Sequence, residues 1–198
     1  HEHLKKKYPN AVFLPNCISD IHFNEPLEDL KKLKIKNQVC FVGTLHAEKI
    51  NLNLTFKTIE SNPNFNFVFA GKLFGINQSQ LPKLSNFKYL GELPFLDASN
   101  LMKSSEYGLI PFIDNKYTNS VFSMKYFEYI ASLTIPVCSK ISMYESLPKE
   151  LMPSTYLNHI QDIKSFKIAD LNLLRNHVLK RYTYKYRIKK MFDLNYIK

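Results

Sequence analysis

Two stretches of this chain set phosphate-seeking residue types beside glycine. The first is Phe41-Val42-Gly43-Thr44-Leu45-His46-Ala47-Glu48-Lys49. A glycine after an apolar run lets another molecule approach the backbone closely, and the amides that follow, of Thr44 and Leu45, can point at an anion. Lys49 adds a positive charge where the next helix is expected to start, a place whose free amides already favour anions. The same features also suit an ordinary turn and a solvated lysine. The second stretch runs over residues 110–139. It holds Ile110-Pro111-Phe112, a polar loop with Asp114, Asn115, Thr118 and Asn119, then Ser123-Met124-Lys125-Tyr126-Phe127-Glu128 and Ile135-Pro136-Val137. Lys125 and Glu128 are three residues apart and share a helix face. Near a helix N-terminus, Lys125 and free amides suit a diphosphate. One turn further in, Glu128 is placed to accept hydrogen bonds from a ribose diol. As an exposed pair the two would be worth only ~0.3 kcal/mol, and spacing does not choose between these readings.

The elements that must hold these residues are legible as apolar patterns. Residues 39–42, 65–70, 87–90, 107–110 and 135–138 are short apolar runs without strict alternation, as expected of strands covered on both faces. Helix-sized segments at 50–61, 96–104 and 121–132 lie between them; in the last, Met124, Phe127 and Ala131 form one stripe. Alternating strands and helices predict an α/β domain with a Rossmann-like, doubly wound parallel sheet. Gly43, Gly71 and Gly91 close three of the strands, and Gly75 sits in a loop. In such sheets ligands bind beyond the carboxyl ends of the strands, so the loops after residues 42, 70, 90 and 110 are expected to line one cleft. The N-terminal residues hold the run Ala11-Val12-Phe13-Leu14-Pro15 and a lysine-rich segment at 27–36 that reads as a linker with a small helix. From Ile168 onward, Leu171, Leu174, Val178, Tyr182 and Ile188 predict one long amphipathic helix, its other faces basic.

Composition narrows the function classes. The 198 residues suit one domain, perhaps with an appendage, and the formal net charge of +10 favours phosphorylated or polyanionic partners, although a lysine-rich solvated surface accounts for it equally. No apolar run approaches the ~20 residues of a membrane span, and no signal peptide is visible. Cys17, Cys40 and Cys138 lack metal spacing and read as thiols of a reducing cytoplasm, two of them inside apolar runs. No paired-carboxylate metal motif is visible, so no metal and no resident cofactor are expected.

The stretch 110–137 resembles the "LIPF…N…T…KxxEYLA…G-x-PVV" signature of bacterial GT-B glycosyltransferases of families 4 and 1, in their C-terminal domains. The first glycine stretch resembles the same families' "YVGxLxxxK". Residues 64–71 resemble "PDxxFVLIG", and 86–94 resemble "PNVxYLGxxP". Pro15-Asn16-Cys17-Ile18-Ser19 is similar to the "PNGVD" that ends the interdomain connection. The pieces stand in the family's order over residues 12–140.

This resemblance implies the C-terminal, donor-binding half of a two-domain enzyme. Residues 1–37 would be the end of an N-terminal domain and linker, 38–165 the nucleotide-binding domain, and 166–198 a helical extension. The implied donor is a nucleotide-diphosphate sugar, with UDP expected. Gly43, Thr44, Lys49 and Lys125 would face its diphosphate, and Glu128 its ribose. Gly91, Glu92, Leu93 and Pro94 would contact the base, and Asn115, Thr118 and Ser120 would lie beside the sugar. The acceptor, a cell-surface glycan or lipid-linked saccharide, and any catalytic base would belong to an N-terminal domain that this sequence lacks. The implied place is the cytoplasm, peripheral at the inner, anionic face of the membrane, which the basic C-terminal segment would meet. The chain departs from the pattern at Thr44, where relatives carry Arg, and at Ser120, where many carry a second Glu. It departs again at Ser132-Leu133-Thr134, where Ala-Gly is usual. His46 is a loop histidine; His22, His159 and His177 have no visible partners, and none is assigned as a base. Two other readings remain open: a basic nucleic-acid-binding module, which lacks any recognisable signature and is not expected, and a non-catalytic interaction domain.

Overall fold

A computed structural model describes residues 6–12, 14–153, 156–157, 163–166 and 170–194; Phe13, His159 and Ile168 lie outside the described residues. The described residues form seven strands: β1 (Ile35–Val42), β2 (Leu45–His46), β3 (Asn66–Ala70), β4 (Leu73–Phe74), β5 (Phe87–Tyr89), β6 (Ser105–Ile110) and β7 (Ile135–Cys138). Five build one sheet in the order β5-β3-β1-β6-β7, with every pair parallel. β2 and β4 form a small separate parallel pair. The expected doubly wound α/β sheet is therefore present, and all five apolar runs lie in it.

Why those runs do not alternate is now visible. Val39, Phe41, Phe67, Phe69, Leu109 and Val137 point into one core. Cys40, Val42, Ile110 and Cys138, one residue out of phase, point into another. Successive side chains leave opposite faces of a strand, so a sheet with a core on each side needs apolar residues at both parities. Cys40 and Cys138 are fully buried, and burial pushes their thiols up, to about 11 and about 12.

The helix Leu52–Ser61 starts where Asn51 accepts a hydrogen bond from the Leu54 amide at 3.0 Å. Phe95–Ser104 begins directly after Pro94, and Met124–Ala131 packs Tyr126, Phe127, Tyr129, Ile130 and Ala131 into the core. The last helix ends in a Schellman motif: the Thr134 amide donates to the Tyr129 carbonyl (2.8 Å) and the Leu133 amide to that of Ile130 (3.0 Å). Leu133 holds the left-handed position at φ 54° that glycine usually takes. That conformation costs a non-glycine residue roughly 1–2 kcal/mol, and something must hold it.

Lys34 does so. Its ammonium is partly buried and donates to the carbonyls of Ser105 (2.7 Å) and Ser132 (2.8 Å) and to the Thr134 hydroxyl (2.9 Å). Burial pulls its pKa down to about 7, against the pull of nearby Cys40 and Glu106. Arg175 holds the same helix end by donating to the Ala131 carbonyl at 2.8 Å. It also donates to the Glu25 carbonyl and lies over the Phe23 ring. Glu25 pairs with the buried Lys103 at 2.5 Å, and Leu30, in the helix Leu27–Leu33, is fully buried. Residues 17–34 are thus packed against the sheet domain.

The C-terminal segment corrects one expectation. It is two helices, Leu171–Arg181 and Tyr184–Asp193, and not one long one. At the break the chain turns extended and pairs with Ile18: the Ile18 amide donates to the Tyr182 carbonyl (2.8 Å) and the Tyr184 amide to that of Ile18 (3.2 Å). Thr183 then caps the second helix. The apolar period continues across the break, so periodicity did not reveal it.

Candidate functional site

In chain order the main sheet runs third, second, first, fourth, fifth strand, so the winding reverses between β1 and β6. A crevice opens beyond the carboxyl ends of the strands at such a reversal. Gly43 follows β1 and Gly71 follows β3, and Gly91 stands two residues beyond β5. Their loops are stitched together: the Gly43 amide donates to the Ala70 carbonyl (2.9 Å) and the Gly71 amide to that of Gly91 (2.7 Å). The Tyr89 hydroxyl donates to the Gly71 carbonyl at 2.6 Å. A Cβ on Gly71 would stand 1.9 Å from the Gly43 carbonyl oxygen, and its φ is 133°, so only glycine fits. The loops leave an open cleft of about 280 Å³ lined in part by Gly43, Thr44, Gly71, Lys72, Glu92 and Leu93.

Beside Gly43 lies the start of the helix Met124–Ala131. Its N-terminal residue Ser123 makes no side-chain cap. Lys125 reaches back over Gly43, where an added Cβ would sit 4.0 Å from its Cε. Its ammonium donates to Glu128 at 2.5 Å; Lys125 is 36% exposed and Glu128 14%. The spacing expectation is met in detail: the two share a face and a turn, and they pair with each other.

Tyr129 sets this helix against the sheet. Its hydroxyl accepts from the Val42 amide (3.3 Å) and donates to the Leu109 carbonyl (3.5 Å), bridging the strand ends on both sides of the reversal. Complete burial holds its pKa well above the ordinary phenol value, so it remains a donor. Gly108 makes room, since a Cβ there would stand 2.5 Å from the Tyr129 ring. Sequence reasoning passed over Tyr129; its signal was the glycine inside the β6 run.

Other expected residues are placed differently. Lys49 does not start a helix: it stands before Asn51, with its ammonium 4.7 Å above the Tyr117 ring. The Leu45 amide is taken by the Lys72 carbonyl at 2.8 Å and is not free for an anion. The Leu45 difference follows from the pairing of β2 with β4, which ties the first glycine loop to the second; Lys49 is drawn to the 113–117 segment, whose Ile113 amide donates to the Lys49 carbonyl at 2.8 Å. Asn115 and Thr118 bind each other: the Asn115 amide donates to the Thr118 hydroxyl (3.1 Å) and the Thr118 amide to Asn115 Oδ1 (2.9 Å). Thr118 is fully buried and also donates to the Ile113 carbonyl. The exposed Ser120 donates to the Lys116 carbonyl at 3.0 Å. Pro94 opens the next helix. His46 stacks on Phe74 with centroids 4.4 Å apart, and its Nδ1 accepts from the Glu48 amide. His22 is buried with an unbonded Nδ1; burial lowers its pKa, while Glu128 opposes this. Lys72, which lines the cleft, was not singled out from sequence. Among the described residues no group of three His, Cys, Asp or Glu is placed to hold a metal ion, and no helix is long and apolar enough to cross a membrane.

No family model and no curated protein sequence matches the chain. Solved structures do. AviGT4, a glycosyltransferase involved in avilamycin A biosynthesis, matches with a TM-score of 0.66 at 11% identity, over 93% of this chain and 57% of that one. Alr3699/HepE of Anabaena, solved with UDP and glucose, matches with a TM-score of 0.66 at 10% identity, over 93% and 56%. An α-glucosyltransferase solved with UDP-glucose and DNA containing an abasic site matches with a TM-score of 0.58 at 17% identity, over 98% and 62%. At these identities the likeness is one of fold, the GT-B glycosyltransferase fold, and the chain spans between half and two thirds of each matched structure.

Proposed function

We propose that this chain is the donor-binding portion of a glycosyltransferase that moves a sugar from a nucleotide-diphosphate sugar, with UDP as the nucleotide. The observation that carries the reading is the Lys125–Glu128 pair, stacked over Gly43 at the point where the sheet reverses. A diphosphate laid along Gly43 and Thr44 would meet Lys125 and the uncapped first turn of its helix. Positive charge there stabilises the leaving nucleotide as the glycosidic bond breaks. Glu128 is mostly covered, and as a carboxylate it accepts hydrogen bonds from a ribose diol. Gly91, Glu92 and Leu93 form the wall suited to the base.

In this reading the acceptor, a cell-surface polysaccharide or lipid-linked saccharide, binds on a separate N-terminal domain, and the enzyme works in the cytoplasm at the membrane's inner face. The helix Tyr184–Asp193 supports the last point. Tyr184, Ile188 and Phe192, spaced four apart, are each about half exposed, and Lys185, Arg187, Lys189 and Lys190 share the helix with them. Exposed apolar residues among cations suit an anionic lipid surface. The net charge of +10 and the likeness to a DNA-bound glucosyltransferase favour a second acceptor class, nucleic acid.

Calorimetric titration with UDP and GDP tests the donor reading. Saturable binding of one nucleotide, weakened at least tenfold by both Lys125→Ala and Glu128→Ala in folded protein, is the expected result. A folded wild-type chain that binds neither nucleotide would sink the reading. Salt-dependent oligonucleotide binding that UDP-sugar does not displace would favour a nucleic-acid module.

A further inference from the structure

The geometry points to Lys72 as a cation of the diphosphate subsite, standing in for the positive charge that Thr44 does not supply. The inference rests on the donor-binding reading above. Three lysines stand near the glycine loops, and two are engaged by neighbours. Lys125 is paired with Glu128 at 2.5 Å, so much of its charge is met by a carboxylate. Lys49 lies over the Tyr117 ring. Lys72 lines the cleft between Gly71 and the Gly43–Thr44 turn, is exposed, and forms no ion pair among the described residues.

The backbone explains how a residue of the second loop comes to serve the first. The Leu45 amide donates to the Lys72 carbonyl at 2.8 Å, and Leu45 pairs with Leu73 in the next register position. Lys72 therefore stands alongside Thr44. Gly71 and Gly43 are in such close contact that no Cβ fits between them, and the Gly43–Ala70 and Leu45–Lys72 backbone bonds tie the two loops together. A cation on either loop serves the same ligand atoms. Glu92, on the third loop, also lines the cleft, and like charge disfavours a phosphate placed against its carboxylate.

A phosphate contact from an otherwise unpaired lysine contributes through charge, so its loss reads out in affinity and in salt dependence. The test is titration of UDP into the chain and its Lys72→Gln, Lys72→Arg and Lys57→Gln variants at two salt concentrations. Lys57 is an exposed lysine on the Leu52–Ser61 helix and removes the same charge away from the cleft. Expected is a drop of about tenfold in UDP affinity for Lys72→Gln, a shallower salt dependence, near-wild-type binding by Lys72→Arg and little change for Lys57→Gln. UDP binding by the wild type that Lys72→Gln leaves unaltered, or that Lys57→Gln weakens equally, overturns the assignment while the donor reading stands. A wild-type chain that binds no UDP overturns both.

Discussion

The two ends of one eight-residue helix, Met124–Ala131, carry opposite designs. At its C-terminal end a lysine from a distant segment is partly buried and fully engaged, with three acceptors within 2.9 Å. At its N-terminal end Lys125 is over a third exposed, has one carboxylate partner, and lies against Gly43. The first arrangement completes hydrogen bonds that the fold itself leaves open. The second pairs one lysine with one carboxylate a turn away. A helix has free carbonyls at one end and free amides at the other, and here the fold answers the carbonyls and leaves the amides without a side-chain cap.

If that division is right, substitutions at the two ends must fail in different ways. The largest effect belongs to the wall of the cleft. Gly71→Ala forces a Cβ into the Gly43 carbonyl and is expected to cost about 3 kcal/mol or more, read as a fall in the denaturation midpoint. Gly91→Ala, where the added Cβ meets nothing within 4 Å, pays only for its φ of 73°, about 1 kcal/mol. Equal costs would show that close contact between the two loops does not matter.

Next comes Lys34→Met, which leaves the Ser105 and Ser132 carbonyls without their donor and is expected to cost about 2 kcal/mol near pH 8. The sign of the pH dependence follows from the lowered pKa. Between pH 7 and the ordinary lysine range the unfolded chain binds a proton that the folded one lacks, so wild-type stability gains with rising pH. The deficit of the variant should therefore be larger at pH 8.5 than at pH 6 in chemical denaturation; a deficit that shrinks with pH would contradict a depressed Lys34. His22 acts in the same direction at lower pH. Its folded pKa is lowered by burial, so stability falls as pH drops below about 6.5, and His22→Gln should flatten that fall.

The smallest stability effect is expected at the cleft end. Lys125→Ala and Glu128→Ala remove a partly exposed pair and should change stability by about 0.5 kcal/mol or less, while UDP affinity drops. A large loss of stability there would mean that the pair serves the fold, as Lys34 does.

Much of this was legible beforehand. Five apolar runs at both parities announced strands with a core on each side, and Lys125 and Glu128 were visible as a pair at helical spacing. These are local properties: side-chain direction alternates along a strand and repeats every 3.6 residues along a helix, so nearest neighbours suffice to read them. The Leu45 contact was misread because it depends on β2 meeting β4 nearly thirty residues later, and the Lys49 position because it depends on Ile113 and Tyr117, more than sixty residues later. The break at Tyr182 was hidden for the same reason, since it exists to pair with Ile18, over a hundred and sixty residues away.

The sequence alone therefore determined the five strands of the main sheet, the helices between them and the one polar pair whose members are a turn apart. Tertiary structure decided which lysine is enclosed by acceptors, which is paired and which lines the cleft. Lys34, Lys72 and Lys125 are the same chemical group, and local pattern does not distinguish them. They differ only in the acceptors and solvent that distant segments bring to them, and those set the cost of carrying a charge.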